Sequence, residues 1–173
     1  EDYTKAIKFQ PKFARFYVNR GNSKQRLERH FEAIADYTKA IELNPDYADA
    51  FNGRGSSKNE LEDYYGAIAD YTQYLEIKPN ETKVIYFRGK AKEDLEDYNG
   101  ALEDFTMIIK LGAKSDYYLS SYLERAYMNF KMENFVDSVL DYNKYIDMNP
   151  NNAQAFGFRG MNKSLLIDNR GAC

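Results

Sequence analysis

The chain repeats itself every 34 residues: Ala14 to Tyr47 lines up without a gap on Ala48 to Glu81, and Thr82 to Ser115 follows in the same frame. Three extra residues, Asp116 to Tyr118, precede a further unit from Leu119 to Asn152. Glu1 to Phe13 reads as the second half of a preceding unit, and Ala153 to Cys173 as the first half of a following one. A period of this length marks a supersecondary unit that cannot bury its apolar face alone and gains a core only by stacking on its neighbours. The whole of residues 1–173 is therefore expected to form a single repeat domain.

Residue size is as periodic as the frame. The fourth position is large (Tyr17, Phe51, Ile85, Tyr122, Phe156), and the eighth is small (Gly21, Gly55, Gly89, Ala126, Gly160). The twentieth is small again (Ala33, Ala67, Ala101, Ser138, Ala172), as two closely crossing helices require. The twenty-fourth is aromatic (Tyr3, Tyr37, Tyr71, Phe105, Tyr142). The thirty-second is proline (Pro11, Pro45, Pro79, Pro150), which disfavours helix in the residue before it. Apolar spacings of three and four predict helices over 2–10, 14–27, 31–43, 48–61, 65–77, 82–95, 99–111, 116–132, 135–148 and 153–167. At the third junction Ala113 replaces the proline, Gly112 can end a helix in a left-handed conformation, and Ser115 can cap the next one. Three inserted residues make nearly one helical turn, so Tyr117 and Tyr118 should lengthen the following helix without changing its facing.

These positions, repeated in register over the whole chain, resemble the tetratricopeptide repeat family. Two positions depart from it. The family's usual leucine at the seventh is arginine throughout (Arg20, Arg54, Arg88, Arg125, Arg159), and its tyrosine at the eleventh is mostly lysine (Lys24, Lys58, Lys92, Asn129, Lys163). The resemblance implies an all-α, right-handed solenoid of stacked antiparallel helix hairpins. It further implies that first helices line a concave groove through their second, fifth, sixth, ninth, twelfth and thirteenth positions. Mapped onto this chain, the groove is polar at first (Asn19, Asn22, Arg26, Asn52, Ser56, Asn59) and then increasingly aromatic (Lys83, Tyr86, Phe87, Lys90, Leu123, Tyr127, Phe130, Phe158). Side-chain amides can bond a peptide backbone as donor and acceptor, and clustered aromatics anchor apolar side chains. The expected function is a protein-interaction scaffold with a protein or peptide ligand, an extended peptide or a helix of the partner lying in the concave groove. The family's clamp for chaperone C-termini is not expected: its five positions read Val18, Asn22, Gly53, Lys83 and Phe87, and only Asn22 and Lys83 agree.

A half-buried arginine is costly unless a carboxylate partners it. The seventh-position arginines are accordingly expected to form a structural ladder with Asp36, Asp70, Asp104 and Asp141 at the twenty-third, the alternative being an anion-binding row. Gly53 and Gly157 sit inside predicted helices, where glycine costs about 1 kcal/mol relative to alanine. Either another backbone approaches them closely or the packing there is relaxed.

No catalytic residues, metal ligands or cofactor are expected. His30 is the only histidine and takes the position held by Tyr64, Tyr98 and Phe135 elsewhere; Cys173 is the only cysteine. The stretch Gly53 to Lys58 lacks the spacing and preceding strand of a phosphate loop. A net charge of -3 and a pI near 5.3 supply no basic field, so nucleic acid is not an expected partner. No apolar run reaches membrane length. Three other readings stay open: a non-catalytic segment of a larger enzyme or receptor, since the chain opens mid-unit without methionine; an RNA-binding helical repeat, which the acidic balance disfavours; and end-to-end self-association through uncapped repeats. The compartment is open, with cytoplasm favoured.

Overall fold

Small residues where two helices cross, and a large aromatic one turn later, decide how each hairpin closes. Ala33, Ala67, Ala101 and Ser138 are completely buried, as are Tyr37 and Phe105; Tyr71 and Tyr142 are nearly so. The computed structural model describes residues 2–112 and 117–171. The described residues form α1 (Asp2–Phe9), α2 (Ala14–Gln25), α3 (His30–Leu43), α4 (Ala48–Glu60), α5 (Tyr64–Ile77), α6 (Thr82–Asp94), α7 (Tyr98–Leu111), α8 (Tyr118–Lys131), α9 (Phe135–Met148) and α10 (Ala153–Gly171), with no strand among them. The architecture is all-α, built from antiparallel helix hairpins. Helix ends fall within two residues of expectation, except that α10 runs on to Gly171 and the expected start of α8 at Asp116 lies outside the described residues. Ala113, Ser115, Ala172 and Cys173 lie outside them too.

The chain divides into two units, Glu1–Val84 and Ile85–Cys173. In the first, α2 packs on α3, α3 on α4 and α4 on α5. Tyr17, Val18, Ala33, Tyr37, Ala40 and Ala50 form a buried cluster there, with Ile7, Ile41 and Leu43 against it. In the second, α7 packs on α8, α8 on α9 and α9 on α10. Its cluster of Ala126, Tyr142, Tyr145, Ile146 and Ala155 carries Leu119, Tyr122 and Leu123 on its flank.

The turn inside each hairpin is made by a glutamate. Glu28, Glu62, Glu96 and Glu133 all adopt φ near +60°, a left-handed conformation that glycine normally supplies. The next residue closes each turn with a backbone bond to a carbonyl five residues back: Arg29 N to Lys24 O at 3.0 Å, Asp63 N to Lys58 O at 2.9 Å, Asp97 N to Lys92 O at 2.9 Å and Asn134 N to Asn129 O at 2.8 Å. This is a Schellman closure of the first helix. Asp63 and Asp97 then cap the second helices, each accepting from a backbone N–H, of Gly66 and Gly100 respectively, at 3.0 Å. Gly112 ends α7 with φ 98° and ψ 175°. Tyr117 occupies the cap position of α8 and Tyr118 its first turn, so only Tyr118 lengthens the helix.

Gly53 and Gly157, alike in sequence position, differ in surroundings. A Cβ on Gly53 would lie well inside contact with the ring of Tyr37, which is fully buried and cannot retreat. The close neighbour at Gly53 is thus an internal side chain and not another backbone. A Cβ on Gly157 would meet nothing within 4 Å. Gly53→Ala is expected to destabilise by about 1–3 kcal/mol through overpacking, and Gly157→Ala to stabilise by up to about 1 kcal/mol through helix propensity. Urea denaturation of the two variants checks both signs.

Candidate functional site

The seventh-position arginines project from first helices toward second helices, where buried carboxylates meet them. Arg20 Nη2 and Nε lie 2.6 and 2.8 Å from the two oxygens of Asp36; Arg54 reaches Asp70 at 2.6 and 2.9 Å, and Arg125 reaches Asp141 at 2.6 and 2.8 Å. Arg88 makes the same two-pronged pair with Asp104, its Nε at 3.0 Å. Arg159 donates through Nη1 to Asn143 Oδ1, at the twenty-fifth position of the preceding repeat, at 2.8 Å. Bonding to Asp36 and Asp141 raises the pKa of Arg20 and Arg125 above the ordinary arginine value, against the opposing effect of burial. Most of these guanidinium groups also lie about one turn from the fourth-position ring on the same helix, as Arg20 does over Tyr17 at 5.7 Å and Arg125 over Tyr122 at 5.6 Å.

Two further members of this network were not anticipated. Lys24, Lys58 and Lys92 place their ammonium groups 2.8, 2.8 and 2.9 Å from the second oxygen of Asp36, Asp70 and Asp104. In the last hairpin Asn129 takes the lysine's place and donates to Asp141 at 3.3 Å. Threonines at the twenty-fifth position accept from the arginine of the next hairpin: Thr4 from Arg20, Thr38 from Arg54 and Thr106 from Arg125, at 3.2–3.3 Å. The signal for both was present as recurrence, lysine at the eleventh position and threonine at the twenty-fifth. What results is a seam in which each of these aspartates is enclosed, three of them between two cations.

The expected groove residues fall into two groups. In the first unit several are engaged internally. The Tyr37 hydroxyl donates to Asn22 Oδ1 at 2.7 Å, with Gln25 Oε1 as a second acceptor at 3.1 Å, and Gln25 Nε2 donates to Ser56 Oγ at 2.9 Å. Asn59 Oδ1 is enclosed and finds no protein donor. Asn19 and Asn52 are half-buried and Arg26 is exposed. A polar cavity of about 640 Å³ lies among Gln25, Arg26, Glu28, His30, Ser56 and Glu60. His30 opens α3, with a buried Nδ1 lacking a partner. Gly53 to Lys58 lies within α4, so its backbone N–H groups cannot cradle a phosphate.

The second unit gathers aromatic and charged groups. Tyr86 packs its ring against Phe87, Phe105 and Tyr117, and its hydroxyl donates to Glu124 Oε1 at 2.7 Å. Burial, reinforced by that carboxylate, pushes the Tyr86 pKa up. Lys90 is in direct contact with Glu93 and lies 3.3 Å from Glu124 Oε2. Burial pushes the Glu93 carboxyl above its usual range even with Lys90 beside it. Phe87 is 37% exposed, Lys83 is exposed, and Phe130 packs between Tyr127 and Phe135.

Beside this cluster a cavity of about 360 Å³ opens among Glu93, Leu123, Glu124, Tyr127, Tyr142, Asn152, Gln154 and Phe158. Phe158 is 41% exposed and stacks on Tyr142 with centroids 6.0 Å apart. The structure thus brings Leu123, Tyr127 and Phe158 to one cavity and leaves Phe87 out of its lining. Among the described residues no group of three or more His, Cys, Asp or Glu side chains is placed to hold a metal, and no helix is long and apolar enough to cross a membrane.

Residues 14–47 match one family model described as tetratricopeptide repeat, and residues 48–81 match a second of the same description. Among solved structures, the chain is similar to YrrB, described as a TPR protein with an unusual peptide-binding site, with a TM-score of 0.84 and 22% identity over 96% of this chain and 84% of that one. It is also similar to the MamA protein, with a TM-score of 0.80 and 17% identity over 87% and 81% of the two chains. A tetratricopeptide repeat protein from Parabacteroides merdae gives 0.77 and 23% over 98% and 66%. No curated protein sequence matches the chain.

Proposed function

We propose that this chain, a protein-interaction scaffold belonging to the tetratricopeptide repeat family, holds an extended peptide against the first-helix faces of its second unit. The observation that carries this reading is the cavity of about 360 Å³ lined in large part by the fifth, sixth and ninth positions of the repeat that begins at Leu119 and the second and sixth positions of the repeat that begins at Ala153. Those are positions the family uses for ligands, and here they present Leu123, Glu124, Tyr127, Gln154 and Phe158. An open cavity with aromatic walls and a few polar groups is the form that a side-chain anchor site takes. YrrB, similar in fold, is described as having a peptide-binding site. The first unit's polar positions play a lesser part, because Asn22, Gln25 and Ser56 already bond within the protein.

Peptides selected by display against the chain test the assignment. Their affinity should fall at least about tenfold in Tyr127→Ala and in Phe158→Ala, as expected for anchor residues worth more than about 1.4 kcal/mol. It should be unchanged in Val136→Ala and Leu140→Ala, two exposed apolar residues on α9. Equal loss in all the variants, or no loss in the first pair, overturns the site.

A further inference from the structure

Charge sets the chemistry of the cavity beside α8. Two carboxylates, Glu93 and Glu124, are part of its lining. Both are largely enclosed, with side chains 15% and 19% exposed. A single ammonium, that of Lys90, serves them both: it is in contact with Glu93 but 3.3 Å from Glu124. The Tyr86 hydroxyl, the other donor to Glu124, carries no charge. The cluster therefore keeps one negative charge in surplus. Burial pushes the Glu93 carboxyl up, and the bond and charge of Lys90 act the other way.

The rest of the lining is mostly apolar and aromatic, Leu123, Tyr127, Tyr142 and Phe158, with Asn152 and Gln154 as its neutral polar members. A site with aromatic lining beside two carboxylates that share one ammonium suits a long side chain that is apolar along its stem and cationic at its tip. The volume of about 360 Å³ lies at the small end of ligand pockets, which run roughly 300–1,000 Å³, and so has room for one side chain and not for a helix.

We infer that this cavity is a specificity subsite for a basic side chain, arginine before lysine, of the bound peptide. The inference rests on the peptide-binding reading given above and adds the class of residue recognised. Arginine is favoured because its planar guanidinium can stack on Tyr127 or Phe158 while donating two parallel bonds to a carboxylate. An acidic side chain is excluded by Glu93 and Glu124. A neutral apolar one would fill the walls but leave the surplus charge unpaired.

The test uses two probes of nearly identical shape, N-acetyl-L-arginine methylamide and its neutral ureido counterpart N-acetyl-L-citrulline methylamide, titrated into the 15N-labelled chain and followed by amide chemical shifts. The arginine probe should move the amides of Leu123, Glu124, Tyr127 and Phe158 along saturable curves. It should bind roughly tenfold more tightly than the citrulline probe, the scale of one charge-assisted bond, and weaken as salt is added. Glu124→Gln and Glu93→Gln, checked for unchanged thermal midpoints, should bring arginine binding to the citrulline level. Equal affinity of the two probes at these amides overturns the cationic preference while leaving the peptide site standing. Shifts from neither probe overturn it as well, and display-selected peptides that still depend on Tyr127 and Phe158 would show that only the cationic subsite has failed. Peptides indifferent to those two residues would remove both readings together.

Discussion

Asp70→Ala should cost the chain about 3–5 kcal/mol, the penalty for breaking a buried ion pair and leaving the partner charge behind. The loss is doubled in kind here, because Asp70, with its side chain 3% exposed, pairs with both Arg54 and Lys58, at 2.6 and 2.8 Å. Neither cation can leave easily. Arg54 is held between Asp70 and the hydroxyl of Thr38, and its guanidinium lies over the ring of Phe51, 5.7 Å from the centroid. Urea denaturation followed by circular dichroism reads the loss directly. Asp70→Asn retains the shape and one acceptor and should fall between the wild type and alanine. A loss below about 1 kcal/mol for alanine, the range of exposed ion pairs, would mean that the seam contributes no more than surface charges do. The seventh-position arginines would then need another explanation.

Tyr37→Ala should be of similar size, about 3–5 kcal/mol, for a different reason. The ring is completely buried and fills the space left by the absent side chains of Gly21 and Gly53, so its removal opens a cavity that neither glycine can fill. Tyr37→Phe separates packing from hydrogen bonding. It keeps the ring and removes only the hydroxyl's bond to Asn22, with an expected cost of about 1 kcal/mol. Thermal unfolding of the pair reads both effects. If the phenylalanine variant lost as much as the alanine variant, the hydroxyl and not the ring would be organising the first unit.

Much of the architecture was legible because it is arithmetic. Ala33, Ala67 and Ala101 share one phase of the repeat and Tyr37, Tyr71 and Phe105 another, and the structure buries all six. The arginine and aspartate partners could likewise be matched by phase. Lys24 and Thr38 were harder. Each recurs, but recurrence alone does not say which of several nearby carboxylates or cations a flexible side chain will choose, and that choice is made in three dimensions. The polar first-helix positions show the same limit. Nothing in the sequence says that the Tyr37 hydroxyl reaches back to Asn22 and Gln25 and occupies acceptors that a ligand would otherwise use. The cavity beside α8 was visible only in part. Leu123, Tyr127 and Phe158 lie on ligand-facing phases, whereas Tyr142 belongs to the buried aromatic phase and Asn152 to an interhelical loop. Their joining the same wall depends on how α9 and α10 pack.

The left-handed glutamates bear on how the molecule comes apart. An L-residue held near φ +60° costs about 1–2 kcal/mol, so every hairpin closed by Glu28, Glu62, Glu96 or Glu133 is handicapped when it stands alone. In a linear array, total stability is the sum of what each repeat contributes by itself and what each junction adds. Here the first quantity is lowered at every turn, while bonds such as Thr38 to Arg54 and Thr106 to Arg125 strengthen the second. Low self-sufficiency with strong junctions is the condition for steep cooperativity. Within each unit a hairpin that loses its neighbour is expected not to persist, so unfolding should run through adjoining hairpins as a block instead of fraying one repeat at a time.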